Sequence, residues 1–264
     1  MRIWLTLFLG WLVVGCAGSK AIQRPYPAPD GDQLLRVLLA RQSAVKSLNL
    51  ETRATSWLGG ERARGTVQML VDRRGDLRFE AEVSLQGTVA ALAVHEGRFI
   101  FIDHQKKMFR QGPATPGNVA SMIRIPLQPM QVAAILLGDC AIPAGARVVD
   151  VGWDGQHGAD VLHMEDVFGQ LWITLHRNGD RTDVVAVEGQ SLGMSQRWRV
   201  AYEDLHTTDG WTFPNLIRFA EPGRSFDDGV EIKVKDRILN PTLPETAFIL
   251  PPPPGYTLDA PGGP

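Results

Sequence analysis

The stretch Gly112–Gly138, GPATPGNVASMIRIPLQPMQVAAILLG, is the one strongly helical passage in a chain otherwise patterned as strands. Thr115 suits an N-cap, Pro116 suits the first helical position, and Val119, Met122 and Ile123 recur at helical spacing. Pro126 stops that short helix, Pro129 opens a second, and Gly138 ends it where a left-handed cap is wanted. From Met130 to Leu137 the only polar residue is Gln131. The second helix is far too short to cross a bilayer, which takes about 20 residues. A helix that is apolar on every side must be covered on every side. It is either a core helix or a layer between a sheet and some apolar body that the chain does not supply.

On both sides of this passage the hydrophobic period falls to 2. Leu48 to Trp57 reads as a strand turned by Gly59-Gly60, and Val67, Met69 and Val71 mark the next. Leu77, Phe79, Ala81 and Val83 alternate with Arg78, Glu80 and Glu82, the cleanest half-buried strand in the chain. Thr88–Val94 and Arg98–Ile102 are more continuously apolar and should be covered on both faces, and Met108–Gln111 leads into the helical passage. After Gly138, strands are expected near 147–153, 160–165, 170–176, 183–189, 195–203, 212–219 and 229–236. Asn178-Gly179-Asp180 and Asp209-Gly210 turn between them, and Trp198, Val200 and Tyr202 mark one inward face. Strands joined by such short turns are antiparallel, because parallel neighbours need long crossovers. About twelve strands with one apolar face call for a strongly curved sheet or a barrel. Only residues 32–47, capped by Asp30 or Asp32 and closed by Lys46, and 115–137 offer helices to cover that face. The expected fold is mainly β with a helical lid: a half-open antiparallel β-barrel over residues 32–250, enclosing an apolar cavity.

The N-terminus carries Arg2 and then an apolar run from Ile3 to Val14 broken only by Gly10, which suits a signal peptide over residues 1–15. The run ends Val13-Val14-Gly15-Cys16, which resembles the bacterial lipobox, with Val13 standing where leucine is commoner. Cys16 is thus the expected lipidation site, and acylation with more than one chain anchors permanently. Ala17 after the cysteine favours the outer membrane, by resemblance to the enterobacterial sorting rule. Residues 16–31 contain Pro25, Pro27 and Pro29 and read as an extended tether. At about 3.1 Å per residue it could lift a domain roughly 45 Å from the membrane.

The 264 residues carry a formal charge of -2, with 44% hydrophobic and 21% charged, and no basic run to recruit nucleic acid. Gly189-Gln190-Ser191-Leu192-Gly193 matches the G-x-S-x-G nucleophile elbow. That elbow needs a helix after it, whereas Met194–Tyr202 alternates as a strand, and Asp204 and His206 follow too closely for a triad. Ser191 is therefore expected in a hairpin turn and no enzyme is expected. His163 and Glu165 share a strand face that could meet His176, a weak zinc pattern better read as polar residues on a sheet exterior. Neither a phosphate loop nor HExxH is present, so neither metal nor cofactor is expected. Asp227-Asp228 before Gly229 reads as a turn. Cys140 is expected to be a buried structural thiol, and Pro251–Pro254 a stiff exit into a Pro/Gly tail over residues 251–264.

The order of these parts resembles the LolA/LolB lipoprotein-carrier superfamily. The parts are the lipobox, the leading helix, hairpins through Val83-Ser84-Leu85-Gln86-Gly87, IPLQPMQVAAILLG, further strands, and the closing stretches Asn240-Pro241 to Phe248 and Pro254-Gly255. The resemblance spans about residues 32–256 and rests on order, not on one sharp motif. It implies an unclosed barrel whose helical lid covers a cavity for acyl chains. It further implies an outer-membrane lipoprotein at the periplasmic face, taking lipoproteins or lipids from a periplasmic LolA-like carrier, as a monomer. Leu85 matches the exposed loop leucine that such a receiver inserts into the membrane. Ile123, Ile125, Val132, Ile135 and Leu136 are candidates for a lid face that trades places with ligand, with Phe79 and Trp198 facing it. Moving about 15 methylenes out of water is worth on the order of 12 kcal/mol, which a lid leaving its own apolar seat could offset. Superfamily members also include sigma-factor regulators, so a lipid or peptide sensor of the same fold, or a scaffold with a filled interior, are the alternatives.

Overall fold

The computed structural model describes residues 21–259 except 59–60 and 84–86. Cys16, Leu85, the signal segment and the Gly59-Gly60 turn lie outside the described residues. The chain begins with α1, Gly31–Ala44, and then lays down β1 (Ser47–Leu58), β2 (Glu61–Asp72), β3 (Leu77–Val83), β4 (Gly87–His95), β5 (Arg98–Asp103) and β6 (Met108–Pro113). The helical passage follows as α2 (Pro116–Ile123) and α3 (Pro129–Leu136). Next come β7 (Arg147–Asp154), β8 (Ala159–Glu165), β9 (Gly169–Asn178), β10 (Arg181–Ser191), β11 (Trp198–Thr208), β12 (Trp211–Ala220), β13 (Val230–Leu239) and β14 (Thr257–Leu258).

These strands form one 14-stranded sheet in the order β14-β6-β5-β4-β3-β2-β1-β13-β12-β11-β10-β9-β8-β7. Every neighbouring pair is antiparallel except β14 with β6, and β1 on β13 joins the two halves of the chain, from Leu48↔Leu239 to Ser56↔Val230. Among the described residues β7 finds no partner on its outer side, so the sheet stays unclosed: a half-open barrel with a helical lid. Antiparallel order places the turns on two rims. One rim holds the β2–β3, β4–β5, β7–β8, β9–β10 and β11–β12 turns; the opposite rim holds β8–β9 and β10–β11, with the strand ends Val83 and Gly87.

The period-2 faces point inward as expected. Leu48, Leu50, Met69, Val71, Leu77, Phe79, Leu92, Val94, Ile173, Leu175, Val200, Tyr202 and Ile232 are all buried in one core. Toward its far end β3 opens: Val83 is 41% exposed. In β4 four consecutive residues, Ala91–Val94, are buried because the returning chain covers the outer face. Phe248 stacks on His95 at 6.5 Å there, and Arg78 Nη1 donates to the Ala247 carbonyl at 3.2 Å.

Three boundaries differ from the sequence expectation. First, α1 ends at Ala44, not near 47, because the Asn240 amide holds the chain there. Its Nδ2 donates to Ala44 O at 2.8 Å and its Oδ1 accepts from Lys46 N at 2.8 Å. Second, the expected extended tether is docked on the sheet at Ile22, Arg24 and Tyr26. Ile22 N donates to Gly155 O at 2.7 Å, Trp153 Nε1 donates to Ile22 O at 2.7 Å, and Arg24 pairs with Asp160 at 3.0 Å. Third, residues 251–259 are no loose tail. They pair with the open edge of β6, where Thr257 N donates to Lys107 O at 3.0 Å and Arg110 bridges Asp259 at 2.6 Å. An unpaired edge invites any available strand, and the chain supplies its own.

Phe79→Ala should cost about 3–5 kcal/mol in a urea titration, because this fully buried ring leaves a cavity its neighbours cannot all collapse into.

Candidate functional site: the lid and its cleft

Thr115 caps α2 by accepting from Asn118 N at 3.3 Å, and Arg124 ends it in the left-handed region. Gln128 N donates to Gln131 Oε1 at 3.1 Å as α3 begins. At its other end Gly138, at φ 70°, donates to Ile135 O at 3.0 Å and Asp139 N donates to Ala134 O at 3.0 Å. This is the paired-bond helix stop that a glycine in that conformation provides. Space requires glycine as well: a Cβ at 138 would lie 2.6 Å from Pro214 Cδ.

The residues singled out from the sequence come together here. Ile125, Val132, Ile135 and Leu136 are buried against the sheet in one cluster with Phe79 and Trp198, and Ile123 packs at its margin. Val132 and Phe79 are 0% exposed and Ile135 is 1% exposed. Side chains lining a void wide enough for water would keep accessible surface, so the seat expected as a cavity is occupied by α3 at these positions. The apolar face of α3 is thus packed into the core at these positions.

Open space lies at the lid's ends. A cleft of about 520 Å³ is lined by Gln128–Met130, by Arg74–Asp76 of the β2–β3 turn and by the β4–β5 turn, with apolar walls at Val94 and Ala114. Its polar edge is ordered: Asp76 meets His95 Nδ1 at 3.2 Å and Arg74 Nη2 at 3.4 Å. Met130 remains 54% exposed at its mouth. A smaller cleft of about 120 Å³, bounded by Trp57, Ala120, Arg124 and Phe219, lies by the C-terminal end of α2.

The C-terminal end of the lid is held by a polar cluster that the sequence did not disclose. Asp139, 0% exposed, lies 3.4 Å from Arg73 Nη1 and 3.8 Å from Arg41 Nε. Arg41 Nη2 donates to Leu137 O at 3.0 Å, Gln42 Nε2 donates to Cys140 O at 2.9 Å, and Tyr202 donates to Asp139 O at 2.5 Å. Burial raises the Asp139 carboxyl above its ordinary range against the pull of Arg41 and Arg73. Burial also pushes the Cys140 thiol and the Tyr202 phenol well up, so both stay neutral. The one local signal was an aspartate directly after the glycine that ends a helix apolar but for Gln131.

The remaining motifs separate. Ser191 closes β10, and Met194 N donates back to its carbonyl at 3.0 Å in a turn to β11, which starts at Trp198 and not near 195. The strand–turn–strand leaves no elbow. His163 stacks on Trp172 at 4.7 Å, Glu165 pairs with Arg147, and His176 sits opposite Asp183. Among the described residues no group of three His, Cys, Asp or Glu side chains is placed to hold a metal ion. Asp227 and Asp228 fall in a short 3-10 turn, Phe226–Asp228.

No family model matches the chain, and no curated protein sequence does. Solved structures do. A domain named as an outer membrane lipoprotein-sorting protein of Vibrio parahaemolyticus superposes with a TM-score of 0.57 at 10% identity, covering 83% of this chain and 97% of that one. A LolA superfamily protein of Nitrosomonas europaea gives 0.52 at 12% identity, covering 81% and 96%. A DUF1329 family protein of Desulfovibrio piger gives 0.54 at 10% identity, covering 82% and 96%.

As the pH falls, the folded chain binds the Asp139 proton before the unfolded chain does, because the folded pKa lies above 3.8. Asp139 therefore adds stability on acidification from that raised value down to about 3.8 and costs stability above it. Asp139→Asn abolishes this: the stability of the parent relative to the variant should rise as urea midpoints are followed from about pH 7 to about pH 4. At this level the chain has a LolA/LolB-like fold.

Proposed function

We propose that the chain is an outer-membrane lipoprotein, acylated at Cys16 and facing the periplasm, whose half-barrel takes acyl chains of lipoproteins or lipids when α3 withdraws. The observation that carries this is a short helix, apolar but for Gln131, filling an unclosed barrel beside an open cleft of about 520 Å³. Such a volume suits the mouth of a small-molecule site, typically about 300–1,000 Å³. The lid's own apolar contacts offset the energy a fatty chain would gain, so uptake and release can both proceed. A periplasmic LolA-like carrier is the proposed donor, the protein acts as a monomer, and Leu85 is the proposed inserter of cargo into the membrane. The name of the Vibrio parahaemolyticus neighbour, a lipoprotein-sorting domain, supports this reading.

A second reading is favoured by the closed packing itself: a tethered β protein that scaffolds envelope partners and never opens. The two differ in what a ligand does. A diacylated lipopeptide added to residues 17–264 should bind saturably and speed amide hydrogen exchange across 116–137. Absence of binding would leave the scaffold. Depletion in cells should mislocalise other lipoproteins, whereas unchanged localisation would point to a sensor.

Leu85→Glu should keep the urea midpoint and lipopeptide binding yet block transfer into vesicles. Normal transfer would remove the role given to Leu85.

A further inference from the structure

Among the described residues the strongest exposed apolar feature lies away from both lid and cleft. Val167 and Phe168 form the β8–β9 turn, and Leu192 and Met194 lie in the β10–β11 turn on the same rim; they are 77%, 76%, 78% and 54% exposed. Leu192 N donates to Phe168 O at 2.7 Å, so the two turns form one tip. That tip is built and held. The Asp166 carboxylate accepts from Phe168 N and Gly169 N, both at 2.9 Å, and Gln190 Nε2 donates to Met194 O. Gly169 is required there, since a Cβ would lie 2.1 Å from Gln190 O.

We propose that this tip is a second membrane contact, inserting Val167, Phe168, Leu192 and Met194 into the headgroup–acyl boundary of a phospholipid bilayer. Holding four large apolar side chains outward in ordered turns leaves them in water until something covers them. Together they present on the order of 500 Å² of apolar surface, a size at which patches are often functional. A second copy of this chain is a poor occupant, because a stable protein interface buries about 800 Å² on each partner. The patch sits on two adjoining turns at a sheet rim, so a protein would have to offer a matching hollow, whereas a fluid bilayer needs none. Trp172 stands behind the tip with the Arg197 guanidinium 3.3 Å from its ring centroid, the amphipathic pairing suited to a headgroup layer. Arg197 is also neutralised by Glu188 at 2.9 Å, and Arg147 by Glu165, so burial and not charge drives the contact.

The docked N-terminal arm fits the same orientation. It meets the sheet at Gly155, on the opposite rim but on the same flank of strands, β7–β10. The ten residues of β9 separate the two rims by about 33 Å. A domain leaning on that flank brings both the start of the arm and the tip to one membrane. The contact itself does not depend on acylation.

Flotation of residues 17–264, which retain every described element, with neutral phosphatidylcholine vesicles tests the proposal. The chain should float with the vesicles, and Phe168→Asp/Leu192→Asp should lower partitioning by about tenfold or more at an unchanged urea midpoint. Ile238→Asp, at an apolar site 53% exposed elsewhere, should float like the parent. A parent that stays at the bottom, or flotation that the double variant leaves intact, overturns the proposal. So does a dimer in sedimentation equilibrium that the double variant abolishes, since the tip would then meet a second copy.

Discussion

The structure depends on burying a helix whose only polar side chain is Gln131. From Val132 to Leu137 every residue of the lid is inaccessible, and the sheet must wrap far enough to cover it. The sheet cannot do so by closing on itself, because its two ends are tied elsewhere: β6 to the C-terminal chain, β7 beside the N-terminal arm. The helix thus serves as the missing inner layer, and the barrel stays open because that layer is supplied by the chain. Apolar packing of this kind is strong but non-directional. It sets that the helix is buried and leaves its exact seat weakly specified.

Direction comes from the polar cluster at Asp139. Three elements far apart in the chain, α1 through Arg41, the β2–β3 turn through Arg73 and β11 through Tyr202, converge on the residues that follow the helix. Burying these groups is costly, and replacing such a cluster by hydrophobes is often neutral or stabilising. Its value is better sought in position: it pins the C-terminal end of α3, while Pro129 and Met130 at the N-terminal end line the cleft. That N-terminal end is seated by packing alone, with Ile125 and Leu127 buried just before it and Met130 against Gly75. That asymmetry ties the packing to the proposed exchange between lid and acyl chain.

Much of this was legible in the residues. The alternation of Leu77 and Phe79 with Arg78 and Glu80, the proline and glycine punctuation of 112–138, and the excess of inward-facing side chains over available helix all led to the lidded half-barrel. What stayed hidden were single-residue contacts across long sequence separations. Asn240 ends α1 from 196 positions away from Ala44. Arg24 and Tyr26, which looked like linker, are held by Asp160. The proline-rich exit returns to pair with β6 because a strand edge lies within reach, and no local pattern encodes that. The same holds for Arg41, Arg73 and Asp139, each unremarkable in its own segment.

In the proposed mechanism α3 leaves its seat when an acyl chain arrives. Spin labels at Met130→Cys and His206→Cys, both at exposed positions, would report the distance between the start of α3 and strand β11. The account predicts that saturating diacylated lipopeptide shifts this distance distribution to a longer, broader one. An unchanged distribution at saturation would contradict it.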